Sequence, residues 1–378
     1  LILSAYIHIP FCAHKCDFCD FAAFASVGHL EDAYCAIVCD EINKRIDQLE
    51  EKPTLTSVFY GGGTPGLIQP ANIRRIQETL TKRVHLIDCA EITLETTPSA
   101  VTLDKAVDWL AIGVNRLSIG IESLIDSELK AIGRHGSVGE AIACLSAASS
   151  AGFNNINCDL MYGLPGQNLE SWQRSLSGLI SWAQRFQEIK HISAYALELA
   201  HNSPLLNRYP LDSRAYPQED EFVEMYHALI NTLSQADFQQ YEISNFAKQG
   251  FQSRHNLNYW NNCQYLAFGV GAHRYINGMR SANFRQLRRY MEDNLGNETF
   301  EQIDGQIAVR EAIMLGLRKM EGIDIESFAL NYGINILERF DKQIAKLDSG
   351  GFIVLSDGKL KLSSKGVPVS NSVISEFI

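Results

Sequence analysis

No stretch of this sequence runs about 18 apolar residues without a polar interruption, the length a bilayer-spanning helix requires. Nor is there a basic segment followed by a short apolar run and a small-residue cleavage site, the layout of a secretory leader. The sequence opens at Leu1, three residues ahead of the first expected strand, so an initiator methionine and a few residues are expected to precede it. Positive charge is scarce: 33 Lys and Arg stand against 44 Asp and Glu, a net charge of -11. That balance argues against broad nucleic-acid binding, which needs cations to neutralise phosphates. The GxxxxGK[ST] loop of nucleotide-binding proteins is missing, and so are internal repeats and low-complexity segments. A second Cys-x2-Cys is lacking as well, which disfavours a four-ligand structural zinc site. Outside one tight group, six cysteines (Cys35, Cys39, Cys89, Cys144, Cys158 and Cys263) are scattered. They read as free thiols of a reducing compartment, not as a disulfide framework.

What is present is an ordinary globular balance, 46% apolar and 20% charged over 378 residues, enough for two or three domains. Apolar, β-branched stretches at 4–10, 55–60, 88–95, 115–120, 155–161 and 189–197 predict strands. Between them, periods of three to four predict helices at 30–49, 71–83, 102–111, 124–131, 138–151 and 168–182. This alternation over about 200 residues predicts parallel βα units, in an open doubly wound sheet or a complete or partial barrel. Periodicity does not choose between them. A helix is expected at 217–235, then an irregular stretch rich in Asn, Tyr, Gly and His. Helices at 305–319 and 334–348, followed by two short strands around Asp357-Gly358, predict a winged-helix-like module.

Chemistry concentrates at Cys12-x3-Cys16-x2-Cys19, just after the first strand. Thiolates at this spacing are soft ligands able to surround one metal centre. A four-cysteine ferredoxin pattern is absent, so three thiolates suit a [4Fe-4S] cluster with one iron left open. Gly61-Gly62-Gly63-Thr64 ends the second strand, where adjacent glycines allow close backbone approach and expose N–H groups; a ligand-free tight turn is the plainer alternative. Glu95, Glu122 and Arg134 read either as solvated strand ends or as cofactor contacts. Asp159 interrupts an apolar strand and is expected to have a partner in the site. Tyr6 and Phe18 flank the cysteine loop, as cofactor packing or as core.

The cysteine loop resembles that of the radical S-adenosylmethionine (radical SAM) family. Further stretches resemble its oxygen-independent coproporphyrinogen III oxidase-like members: Tyr-Ile-His-Ile-Pro-Phe-Cys at 6–12, Gly-Gly-Gly-Thr-Pro at 61–65 and Arg-Leu-Ser-Ile-Gly at 116–120. Others are Gly-Arg-His at 133–135, Asn-Cys-Asp-Leu-Met-Tyr-Gly at 157–163, Tyr-Glu-Ile-Ser-Asn-Phe-Ala at 241–247, Arg-His-Asn-Leu-Asn-Tyr-Trp at 254–260 and Gly-Val-Gly-Ala-His at 269–273. Together they cover nearly the whole chain. The oxidase branch has a further cysteine where this sequence has Phe21, and a longer lead before its first strand; the heme chaperone branch has the His-Asn-x-x-Tyr-Trp stretch. The resemblance therefore points to the chaperone, with the oxidase as the alternative.

By that resemblance the fold is expected to be α/β: a partial parallel (β/α) radical SAM barrel over 1–200, a barrel-closing extension over 201–299, and a C-terminal helical, winged-helix-like domain over 300–378. Cys12, Cys16 and Cys19 are implied to hold the cluster. Tyr6, Gly62 and Glu95 are implied to line the primary S-adenosylmethionine site, and Phe18, Gly63, Thr64, Glu122, Arg134 and Asp159 a second one. Two departures stand out: Glu122 where the family usually has Gln, and Glu95-Thr-Thr-Pro98 for the usual Glu-x-Asn-Pro. Heme is implied as cargo, with His255 as an iron ligand, Arg254 toward a propionate, and Tyr259 or Trp260 over the ring; a histidine that merely holds a loop is the alternative. The implied partners are an acceptor hemoprotein, respiratory and membrane-associated, and a low-potential electron donor. The implied location is cytoplasmic, with peripheral membrane contact. Radical SAM machinery is expected without coproporphyrinogen oxidase activity.

Overall fold

The computed structural model describes residues Leu1–Ile378. Six parallel strands form its centre: β1 (Ile2–Ile9), β2 (Thr54–Gly62), β3 (His85–Thr96), β4 (Arg116–Glu122), β5 (Ile156–Tyr162) and β6 (Ile189–Ala196). They follow one another in sequence order across the sheet, each joined to the next through helices: α1 (Glu31–Ile46), α2 (Pro70–Arg83), α3 (Leu103–Ile112), α4 (Asp126–Ala131) and α5 (Val138–Ala151), and α6 (Leu169–Arg185). Parallel strands are covered on both faces, which is why they read as apolar runs; β4 is buried at every position. Helix starts follow local chemistry. Thr102 and Ser137 accept backbone N–H groups as caps, and Asn168 with Ser171 forms a reciprocal capping box on α6. The buried face of α6 carries Trp172, Leu176, Leu179 and Trp182, spaced three to four apart. The long central helices and strands fall within a few residues of the sequence expectation.

The next hundred residues add strands to both edges of this sheet. After α7 (Glu219–Gln235), β7 (Asn245–Ala247) pairs antiparallel with β6, with Gln239–Gln240 outside it. The chain then crosses through α8 (Arg254–Trp260) to β8 (Tyr265–Phe268), which pairs parallel with β1, Ser4 opposite Tyr265. β9 (His273–Ile276), β10 (Met279–Asn283) and, after α9 (Leu287–Glu292), β11 (Asn297–Gln302) continue antiparallel from β8. The order is β11-β10-β9-β8-β1-β2-β3-β4-β5-β6-β7. The two ends of the sheet are not hydrogen-bonded to each other, so the extension lengthens the partial barrel without closing its ladder.

One local expectation changes between the barrel strands. Residues 254–260, expected to be irregular, form a helix capped by Ser253. Its seven Asn- and aromatic-rich residues are poor helix formers, and a distant carboxylate holds it: Glu91 on β3 accepts from Arg254 N at 3.0 Å, His255 N at 3.2 Å and Ser253 Oγ at 3.2 Å. Glu41 on α1 does similar work for the extension. Fully buried, it accepts from Gly269 N at 2.8 Å, Asn283 Nδ2 at 2.8 Å, Tyr290 OH at 2.7 Å and Arg45 Nε at 2.6 Å.

The C-terminal segment comprises α10 (Gly305–Gly316), β12 (Ile323–Asp324), α11 (Ile325–Tyr332), α12 (Ile336–Arg339), α13 (Asp341–Ser349), β13 (Ile353–Ser356), β14 (Lys359–Leu362) and α14 (Ser370–Ser375). The single helix expected at 334–348 is broken at Phe340, with Asn335 capping the first half. The expected strand pair is present and gains a third member, giving a β12-β14-β13 wing.

Candidate functional site

The cysteine loop leaves β1 at the C-terminal edge of the parallel strands, where βα folds place their sites. It is tied down from several sides. Asp17 N donates to Ile132 O at 3.2 Å, Asp17 O accepts from Leu205 N and Ser203 Oγ, and Asp17 Oδ2 meets Arg208 Nη1 at 2.8 Å. Further on, Arg285 Nη2 donates to Asp20 O at 2.7 Å. Cys12, Cys16 and Cys19 are free and half-buried. Cys12 Sγ lies 3.8 Å from Thr64 Oγ1, and Cys16 Sγ lies 3.5 Å from Arg134 Nη1. Burial pushes the Cys12 and Cys19 thiols up, so loading a metal centre must displace their protons. No three His, Cys, Asp or Glu side chains converge on a single ion. Three thiols without a fourth fit a cluster, which offers each thiolate its own iron.

Beside the loop, β2 ends in the glycine run. Gly62 has a φ of +115°, and a Cβ there would run into the His8 imidazole. A Cβ on Gly61 would come to 2.9 Å from Glu95 Oε2 and from the Tyr6 ring. The amides are not free, contrary to expectation. Gly62 N donates to Glu95 Oε2 at 3.0 Å, Gly63 N to Ile9 O at 2.9 Å and Thr64 N to Phe11 O at 2.8 Å. The run supplies close approach, and its one functional amide orients a carboxylate.

Three carboxyls face this region, Glu122 buried and Glu95 and Asp159 half-buried. Burial pushes Glu95 up to about 8, and the charge of Asp159 adds to the shift. Burial also raises Asp159 and Glu122. Asp159 accepts from Asn157 Nδ2 at 2.6 Å and Ser118 Oγ at 3.4 Å but has no ion pair. Glu122 occupies a left-handed backbone conformation at φ +68°, next to a register shift between β4 and β5. The turn aims its carboxylate at Tyr195 OH, 2.8 Å away, and Arg134 Nη2, 3.6 Å away. Arg134 also donates to Gly120 O at 2.7 Å. Phe18 packs beside Tyr195 on a small apolar cluster formed by Ile132, Met161, Leu164 and Leu205. Clustered carboxyls held up by burial suit a cationic ligand, which would restore their charge. Tyr6, Gly62 and Glu95 thus form one group. Thr64, Glu122, Arg134 and Phe18 lie around the cysteine loop beside it, with Asp159 close enough to act on Glu95 and Glu122.

The heme-related expectation is not brought together. His255 is buried at 1% exposure; its Nδ1 lies 2.9 Å from Ser57 Oγ, its Nε2 lies 3.0 Å from Tyr259 OH, and its ring stacks on Phe59. Both nitrogens are engaged, and burial lowers its pKa to about 3. Arg254 turns away to Cys89 O at 2.7 Å, and Trp260 lies under Arg318. Of the four residues, Tyr259 alone lines a cavity of about 400 Å³ bounded also by Tyr6, His8, Phe21, Tyr265, His273 and Arg285. Arg116 went unnoticed in the sequence. It is 2% exposed at the start of β4, its Nε lacks a partner, and it stands in register with Thr93, whose Oγ1 is also unpartnered. Its signal was an arginine opening an apolar strand.

Comparison with known proteins matches residues 6–177 to the Radical SAM superfamily and residues 303–369 to the HemN C-terminal domain. The chain is 32% identical to the heme chaperone HemW of Bacillus subtilis, over 99% of each chain. It is 31% identical to the mitochondrial radical S-adenosyl methionine domain-containing protein 1 of Danio rerio, over 98% of this chain and 86% of that one. The solved structure of coproporphyrinogen III oxidase from Escherichia coli, a radical SAM enzyme, superposes with a TM-score of 0.86 at 23% identity, covering 99% of this chain and 89% of the other. That superposition establishes the shared fold, including the parallel-strand barrel and the helical C-terminal region.

Proposed function

The chain belongs to the radical SAM superfamily and, within it, to the heme chaperone HemW family, and from that premise we propose that it binds heme and hands it to an acceptor hemoprotein. The observation that carries this reading is the match to a heme chaperone across 99% of both chains. Phe21 supports it. The oxidase branch is expected to have a cysteine at this position, whereas here a 64% exposed phenylalanine ring borders the cavity that Tyr259 lines. No helix of the protein is long and apolar enough to cross a membrane.

A [4Fe-4S] cluster and S-adenosylmethionine are the family's cofactors. Cys12, Cys16 and Cys19 would hold the cluster, with Thr64 and Arg134 beside two of the sulfurs. Glu95, oriented by the Gly62 amide, would receive the methionine ammonium, with Tyr6 walling the same space. When bound, these groups supply one-electron cleavage at the sulfonium, for which a low-potential donor must deliver the electron. Phe18, Gly63, Thr64, Glu122, Arg134 and Asp159 would frame a second S-adenosylmethionine. The carboxylate of Glu122 competes there for Arg134, so this second site should be the weaker.

The test supplies coproporphyrinogen III, S-adenosylmethionine and a low-potential reductant under nitrogen, and separately titrates heme. A shifted Soret band without protoporphyrinogen is expected; multiple-turnover decarboxylation would overturn the reading in favour of the oxidase.

A further inference from the structure

Resting on the heme-chaperone reading, we propose that heme docks in the cavity between the cysteine loop and β9, with His273 as its iron ligand and Arg285 against a propionate. Two histidines line this cavity, His8 and His273. Imidazole can bind iron only through a nitrogen that is free and unprotonated. Three buried histidines are spent: His8 on Tyr6 OH and Ala22 O, both at 3.0 Å; His191 on Asn157 and Tyr241; His255 on Ser57 and Tyr259. His14 and His135 stack on each other at 4.0 Å beside the cysteine loop. His273 lines the cavity, is exposed, and has no hydrogen bond among the influences on its ring. Partial burial and the nearby Arg285 and Arg280 charges lower its pKa, which keeps the ring neutral and able to coordinate.

The surroundings suit an amphiphilic macrocycle with an apolar face and an acidic edge. Tyr259 and Tyr265 meet edge to face at 4.7 Å and present aromatic wall, while Phe21 offers an exposed ring at the rim. Arg285 spends one N–H on Asp20 O and is 55% exposed, leaving a guanidinium face for a carboxylate. The Asp20 carboxylate, 3.8 Å from that guanidinium, narrows this to one propionate. The geometry also gives the 254–260 stretch a role without making His255 a ligand: its Nε2 holds the hydroxyl of Tyr259, so His255 is a positioning residue for the cavity wall.

The experiment titrates heme into the full-length, anaerobically purified protein and its variants, reading the Soret band, the axial-ligand signature by electron paramagnetic resonance, and iron–sulfur content. For His273→Ala we expect the imidazole signature to vanish, affinity to fall by about tenfold or more, and added imidazole to restore the signature, with cluster content unchanged. His255→Asn should weaken binding while the bound fraction keeps its imidazole signature. Arg285→Gln should weaken heme more than heme dimethyl ester, which has no propionate charge. Native signature and affinity in His273→Ala, with the cluster present, would overturn the site and leave the chaperone reading standing. Absence of heme binding by the native protein would overturn both.

Discussion

Arg134 reaches Cys16 with one arm, Nη1 to Sγ at 3.5 Å, and strand β4 with the other, Nη2 to Gly120 O at 2.7 Å. The same guanidinium is the only cation paired with buried Glu122. Removing it should leave that carboxylate uncompensated, and breaking such a buried pair costs about 3 kcal/mol. Arg134→Met should therefore lower the denaturation midpoint, less at pH 5 than at pH 8, because Glu122 is already raised and takes up a proton at the lower pH. Adding Glu122→Gln in the same chain should recover most of the loss. An additive double variant would show that the two residues are not coupled.

Glu95 makes the cofactor-free protein sensitive to pH. Its carboxyl rises from 4.5 to about 8 on folding. A raised acid gives its full stabilisation below the unfolded value and loses it as pH climbs through the folded one. The thermal midpoint of the cofactor-free protein should decline between pH 5 and 8, and Glu95→Gln should flatten that decline. S-adenosylmethionine should raise the native midpoint more at pH 8 than at pH 6, since its ammonium gives the ionised carboxylate a partner.

The three cysteines should account for all the iron. Anaerobic reconstitution is expected to give about four irons per chain, and changing Cys12, Cys16 and Cys19 to alanine should abolish them. Far-ultraviolet circular dichroism should be unchanged, because a core of this size needs no metal staple. Stoichiometric zinc in place of iron would rule out the cluster.

Glu91 should matter to a helix that lies more than 150 residues further along the chain. With Glu91→Ala, three donors at the start of α8 lose their acceptor, a loss of about 2 kcal/mol. Hydrogen exchange should accelerate at the amides of 254–260 while those of α6 stay protected.

These relationships mark where sequence reading stops. Cys12, Cys16, Cys19 and Gly61–Gly63 were legible because their chemistry is written in consecutive residues. The βα alternation was legible because parallel strands are apolar throughout and helices are not. Helix α8 was not, because its stability comes from Glu91 on another strand, not from its own composition. The amides of Gly62 and Gly63 looked like free donors until Glu95 and Ile9 were in place. Arg116 went unread because nothing in its neighbours shows that the barrel turns it inward, and His255 looked available until Ser57 and Tyr259 claimed both its nitrogens.

β1 pairs with β2 on one edge and with β8 on the other, so the chain's first strand waits for one of its last barrel strands. On the ribosome, β1 and β2 emerge early, but the opposite edge of β1 stays bare until Tyr265–Phe268 has been translated, on the order of tens of seconds later. A bare strand edge is a template for pairing with other chains. The cysteine loop hangs from this same strand, and Arg285, which helps secure it, arrives later still. Nascent chains released before that point would carry their cysteines on an unfinished sheet, and premature termination between residues 200 and 264 should yield aggregates free of iron.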